Sequence, residues 1–111
     1  MVIFTRTYDL LTWLLPRSEG FPKAQRFVVT KRLQDALLNF QEALYLANAA
    51  EGRTRLAHLQ NADAHLNQLR LYLRLVFDWK WLTGGQYEHV SKIVAEIGRL
   101  LGGWLRQTRA R

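Results

Sequence analysis

Residues 66–106 read LNQLRLYLRLVFDWKWLTGGQYEHVSKIVAEIGRLLGGWLR, and two helical periods meet in them. Leu66, Leu69, Leu73 and Val76 step by three, four and three, and Leu59 and Ala62 carry the same series upstream. Alternating steps of three and four put every member on one side of an α-helix, so 53–81 is predicted to be a helix with a heptad seam. Away from the seam its first half is polar (Arg55, His58, Gln60, Asn61, Asp63). Its second half is apolar nearly all round, with Leu71, Tyr72, Leu75, Phe77, Trp79, Trp81 and Leu82. Thr83 and Gln86 have the spacing of a capping box, in which Thr accepts from the Gln backbone amide and Gln reaches back. The helix this box opens, 84–108, turns Val90, Val94 (or Ile93), Ile97, Leu101 and Trp104 inward. Gly98 and Gly102 share one of its faces. A mid-helix glycine costs about 1 kcal/mol relative to alanine, and close approach of another helix is the simplest compensation.

Upstream, a first helix is predicted over 4–15, with Phe4, Tyr8, Leu11 and Leu15 (or Leu14) on the inner face and Pro16 ending or kinking it. Ser18 and Gly20 mark a connector, and Pro22 suits the first turn of the next helix. That second helix, 22–49, carries Val29, Leu33, Leu37 (or Ala36), Phe40, Leu44 and Ala47 as its seam. Leu38, Tyr45 and Leu46 fall off the seam and make a second apolar surface. Glu51-Gly52 breaks the pattern before the third helix. Four amphipathic helices joined by short turns predict an all-α, up-down-up-down four-helix bundle occupying 1–111 as one domain. The off-seam apolar residues Tyr45, Leu71, Leu75, Trp79 and Leu82 are expected to contact further copies of the chain.

Sixteen Lys and Arg against nine Asp and Glu give a net charge of +7, which favours anionic partners: nucleic acid, an acidic protein or a membrane face. There is no cysteine, which excludes disulfides and thiolate metal sites. No apolar run reaches the ~18–20 residues of a membrane span, and the opening MVIFTRTYDLLTWLLPR lacks the pattern of a signal peptide. A cytoplasmic location is expected.

The chemistry-bearing residues are arginines. Arg70 and Arg74 lie four apart at the edge of the third helix's seam, on a line with Asp63, Asn67 and Asp78. Either Asp78 pairs with Arg74 and water covers Arg70, or an anion docks across both, arginine's planar fork being suited to phosphate. Lys92, Arg99 and Arg106 recur every seven residues on the outer face of the fourth helix, with Arg109 a turn beyond. Glu88 and Glu96 interleave with them, as in a solvated salt-bridge ladder. Arg106, Arg109 and Arg111 have no acidic neighbour. His58 and His65 are a heptad apart without a third ligand, and no Glu-x-x-His pair is present, so no metal is expected. Gly84-Gly85 lacks the Lys-Ser or Lys-Thr of a phosphate-binding loop. The tryptophans and tyrosines sit at core spacing. No nucleophile stands with a base, so no cofactor and no catalysis are expected, and the chain reads as a binding protein.

Two motifs in the C-terminal half resemble a known family. HLNQLRLYLRL contains Leu-Arg, two intervening residues and Leu-Arg at 69–74, and VAEIGRLLGGWLR contains Ala-Glu-Ile-Gly-Arg-x-Leu-Gly-x-Trp at 95–104. Together with YDLLTWLLPRSEGFPK at 8–23, they resemble the accessory variability determinant (Avd) proteins of diversity-generating retroelements. The resemblance implies a four-helix bundle assembled as a homopentameric barrel with a basic surface. It implies binding to the element's reverse transcriptase, to template RNA and to the cDNA copy, in support of mutagenic retrohoming. Arg70, Arg74 and Arg99 match the family's arginine motifs and become expected contacts for transcriptase or nucleic acid, alongside Lys92, Arg106 and Arg109. The alternatives are a four-helix bundle of the ribosomal RNA intervening-sequence type, which shares the architecture, and an oligomerising module that binds an acidic protein.

Overall fold

Leu59, Ala62, Leu66, Leu69, Leu73 and Val76 are all buried in the computed structural model, which describes residues 1–111. The seam they form belongs to the longest of four α-helices: α1 Val2–Ser18, α2 Lys31–Ala49, α3 Gly52–Asp78 and α4 Gly84–Arg109. There is no strand. Seam residues of α2 (Leu33, Ala36, Leu37, Phe40, Leu44, Ala47) and of α4 (Val90, Val94, Ile97, Leu101, Trp104) face the same interior. One continuous apolar cluster therefore runs the length of a bundle measuring 46 × 26 × 20 Å. Each fully buried leucine contributes about 1.5–3 kcal/mol, and Phe40, at the centre of α2, is wholly enclosed.

Neighbouring helices run antiparallel. Phe4 packs on Trp104, Arg6 bonds Glu96 and Trp13 packs on His89, so α1 ascends as α4 descends. Phe77 stacks on Tyr87, which sets α3 against α4 in the same way. Ala50 and Glu51 alone separate α2 from α3, and Gly52 makes that reversal by taking φ +58°, a conformation costly for residues with a Cβ. At the start of α4 the capping box forms as expected: the Gln86 amide donates to Thr83 Oγ1 at 3.1 Å, and the Thr83 amide donates to Gln86 Oε1 at 2.9 Å.

Three local expectations ahead of α3 are corrected. First, α1 does not stop at Pro16 but continues to Ser18, with proline in its last turn. The carbonyls there are served by side chains, Arg17 Nη1 donating to Trp13 O at 2.8 Å and Ser18 Oγ to Leu15 O at 2.7 Å. Second, the buried face of α1 is Ile3, Thr7, Leu10, Leu14 and Ser18, one step round from the predicted face, and Tyr8 is 62% exposed. Phe4, Leu11 and Leu15 line the shoulder of the core. Thr7 is tolerated inside because its hydroxyl donates to Ile3 O at 2.7 Å. Third, the segment before α2 is not α-helical from Pro22. A 3-10 turn, Lys23–Gln25, is followed by a π turn, Arg26–Thr30, whose extra residue lets Val29 and Thr30 both point inward.

The third helix also ends earlier than predicted, at Asp78 rather than Trp81. The Trp81 amide donates to Val76 O and the Lys80 amide to Phe77 O, each at 2.9 Å, around Lys80 at φ +65°. That is a Schellman closure with lysine in the left-handed position usually given to glycine. Trp81 is thereby folded back onto Phe21, with ring centroids 5.3 Å apart.

The apolar second half of α3 is mostly covered by its own protomer. Phe77 lies flat on Tyr87 (4.2 Å, 7° between planes), and Tyr72, Leu75 and Trp81 pack against the core. Leu82 is only 4% exposed and belongs to the core, so it cannot serve as an outward contact. Leu71, 64% exposed, remains outside together with Trp79 and, on α2, Leu38, Tyr45 and Leu46. No helix is long and apolar enough to cross a membrane.

Candidate nucleic-acid interface

Arg70 and Arg74 on α3, and Lys92, Arg99, Arg106 and Arg109 on α4, are all exposed. They divide by what neutralises them. Arg74 Nε donates to both oxygens of Asp78, at 3.0 and 3.2 Å, which holds its pKa above the ordinary arginine value. Lys92 pairs with Glu88 at 3.2 Å. The expected ladder stops there. Glu96 turns to α1 and accepts from Arg6 Nε at 3.1 Å, so it is not spent on Arg99. The hydrogen bonds that Arg6 donates, to Glu96 first and then to Asp9, likewise raise its pKa. Arg70, Arg99, Arg106 and Arg109 take part in none of the five ion pairs. Of the six sequence-predicted cations, four are left free and two are paired.

Two of the free arginines converge on glycines of α4. Arg70 Nη1 donates to Asn67 Oδ1 at 2.8 Å, and its guanidinium reaches across to α4, where a Cβ built on Gly98 would overlap it. Arg106 folds back along its own helix, and a Cβ on Gly102 would lie 3.4 Å from its Nη1. Gly98 and Gly102 are one turn apart, about 6 Å along the axis. The glycines are therefore seats for two guanidinium groups. The expected close approach is made by side chains rather than by a second helix backbone.

Ser91, Ala95, Gly98 and Gly102 follow one another at steps of four, three and four on the α3 side of α4. This row of small side chains spans about 16 Å of α4, and where it faces Arg70 and Leu73 it leaves a shallow groove. Arg70 stands on the α3 wall, with Arg99 and Arg106 on the α4 side. The groove holds a cleft of about 260 Å³ lined by Arg70, Leu73, Tyr87, Ser91, Val94 and Ala95. Ser91 and Ala95 were not singled out by sequence reasoning, whereas Asn67 was already placed on the line of Arg70 and Arg74. The signal available was the four-residue spacing of small residues opposite a lone arginine.

Trp13, Trp81 and Trp104 serve packing. Trp104 meets Phe4, Trp13 lies between His89 and Arg17 (guanidinium 4.1 Å from the ring), and Arg55 bonds Ala47 O while approaching Trp104. No three His, Asp or Glu side chains gather where they could hold a metal ion.

The sequence matches the model of the bAvd-like family over residues 1–108. The chain belongs to that family. No curated protein matches it. Among solved structures, the bAvd-like chain is similar to a protein of unknown function from the S23 ribosomal protein family of Bacteroides thetaiotaomicron VPI-5482. The two superpose with a TM-score of 0.85 at 20% identity, over 95% of this chain and 96% of that one. They share the four-helix fold, and the family is the one that the motifs at 69–74 and 95–104 resemble.

Proposed function

We propose that this bAvd-like chain is a non-enzymatic accessory protein of a diversity-generating retroelement, acting in the cytoplasm. It binds the element's reverse transcriptase together with template RNA and the cDNA copy, and supports mutagenic retrohoming. The observation that carries this reading is the set of four arginines on α3 and α4, Arg70, Arg99, Arg106 and Arg109, left without carboxylates. Unpaired guanidinium groups suit a phosphate backbone, which releases its condensed counterions when arginines neutralise it. Membership of the bAvd-like family supports the retroelement context. The exposed Leu38, Tyr45, Leu46, Leu71 and Trp79 support self-assembly, and the family resemblance puts the number of copies at five.

The test is co-purification with the partner reverse transcriptase, paired with RNA binding across a salt series. Replacing Arg70, Arg99 and Arg106 by alanine should leave the helical content intact. It should flatten the salt dependence by about 0.7–0.9 log unit per arginine. Unchanged binding by the triple variant would remove the groove from the site. A bundle of the ribosomal RNA intervening-sequence type is the second reading, favoured by the likeness to the S23-family structure. A gene lying inside ribosomal RNA, away from any reverse transcriptase, would select it.

A further inference from the structure

We propose that the α3–α4 cleft seats one unpaired base of the bound nucleic acid, with Arg70 taking the adjoining phosphate, so that the protein prefers single strands to duplex. This rests on the nucleic-acid reading above and adds to it a choice of strand.

The walls of the cleft are unlike the rest of the groove. Leu73 and Val94 are buried and belong to the packed core, so the bottom is apolar and fixed. Tyr87 closes one side, its ring held by the parallel stack on Phe77. Ala95, exposed and small, leaves the mouth open. Ser91 adds one hydroxyl, able to donate to or accept from a base edge. At about 260 Å³ the space is below the ~300–1,000 Å³ typical of pockets for drug-sized ligands. A single planar ring system fits that scale. An extended side-chain cluster does not.

Charge sits at the rim rather than inside. Arg70 has no carboxylate partner, and its guanidinium is directed over α4 because Gly98 has no side chain to obstruct it. A base turned into the cleft brings its own phosphate to that rim. In a duplex both faces of each base are covered by its neighbours, and the apolar floor is out of reach. Gly98 is thus a positioning residue: it acts through Arg70.

The experiment compares binding of a short labelled RNA of mixed sequence, single-stranded or annealed to its complement, to wild type, Ala95→Leu and Gly98→Ala. Wild type should bind the single strand more tightly. Ala95→Leu fills the mouth at an exposed helical position and removes no arginine. It should weaken single-strand binding by about five- to hundredfold, the range for losing one stacked base, and weaken duplex binding less, so that the preference for single strands shrinks. Gly98→Ala displaces the Arg70 guanidinium and should weaken single-strand binding in the same direction as Arg70→Ala, and the two combined should be no worse than Arg70→Ala alone. Equal affinity for both RNAs, with Ala95→Leu neutral, overturns the cleft while sparing the groove. Loss of single-strand preference in Arg70→Ala but not in Gly98→Ala overturns the positioning role. Absence of binding to either RNA by wild type overturns the nucleic-acid reading itself.

Discussion

Arg6 Nε donates to Glu96 Oε1 at 3.1 Å across the α1–α4 seam, and in doing so takes the one carboxylate that stands within a helical turn of Arg99. The fold thereby keeps Arg99 available to outside anions. Arg6→Ala should release Glu96 to pair with its own-helix neighbour at i+3. The expected result is weaker RNA binding and a salt slope shallower by about one phosphate contact. Melting temperature should hardly move, because a half-exposed ion pair is a weak stabiliser. Unchanged RNA affinity in Arg6→Ala would show that Arg99 is not a contact.

Arg70 and Arg74, equivalent in sequence, should behave differently. Asp78 already neutralises Arg74, whereas Arg70 has only the neutral Asn67. Arg70→Ala should therefore cost more RNA affinity than Arg74→Ala, and Asp78→Asn should increase affinity by freeing Arg74. A salt titration of each variant reads this directly.

The bundle was legible in the sequence wherever burial follows a strict period. Every seam residue predicted for α3 is buried, because leucines at alternating steps leave a helix one way to face the core. In α1 the same logic failed by one step. Thr7 and Ser18 are inside with their hydroxyls satisfied by local carbonyls, and a pattern built on apolar residues skips them. Lys80 hid the end of α3, since left-handed closures are looked for at glycine. The groove was half legible. Its cations were in view, but Glu96 chose a partner 90 residues away, and Arg70 found its seat on another helix. Neither choice leaves a mark in local spacing.

Self-assembly is expected to depend on residues outside the protomer's own core. Tyr45→Glu and Leu71→Glu alter exposed positions, so each protomer should still fold while the mass seen by light scattering falls. Leu82→Ala is the contrasting case. It empties a core position, at a cost of about 2–5 kcal/mol, and should lower the melting temperature without a specific effect on subunit number. Native mass in both surface variants would move the interface elsewhere.

Lys80 is held at φ +65° by the two amide bonds that close α3, those from Lys80 to Phe77 and from Trp81 to Val76. A side chain in that left-handed region costs about 1–2 kcal/mol, since Cβ crowds the following carbonyl. Glycine relieves the crowding but loses more backbone entropy on folding, by about 0.5–1 kcal/mol. The net gain for Lys80→Gly should thus be a fraction of a kcal/mol to about 1 kcal/mol, read as a rise in the denaturation midpoint. Lys80→Val, β-branched, should shift the midpoint the other way. If glycine lowers the midpoint instead, the lysine side chain is contributing something at the α3–α4 turn that outweighs the backbone term.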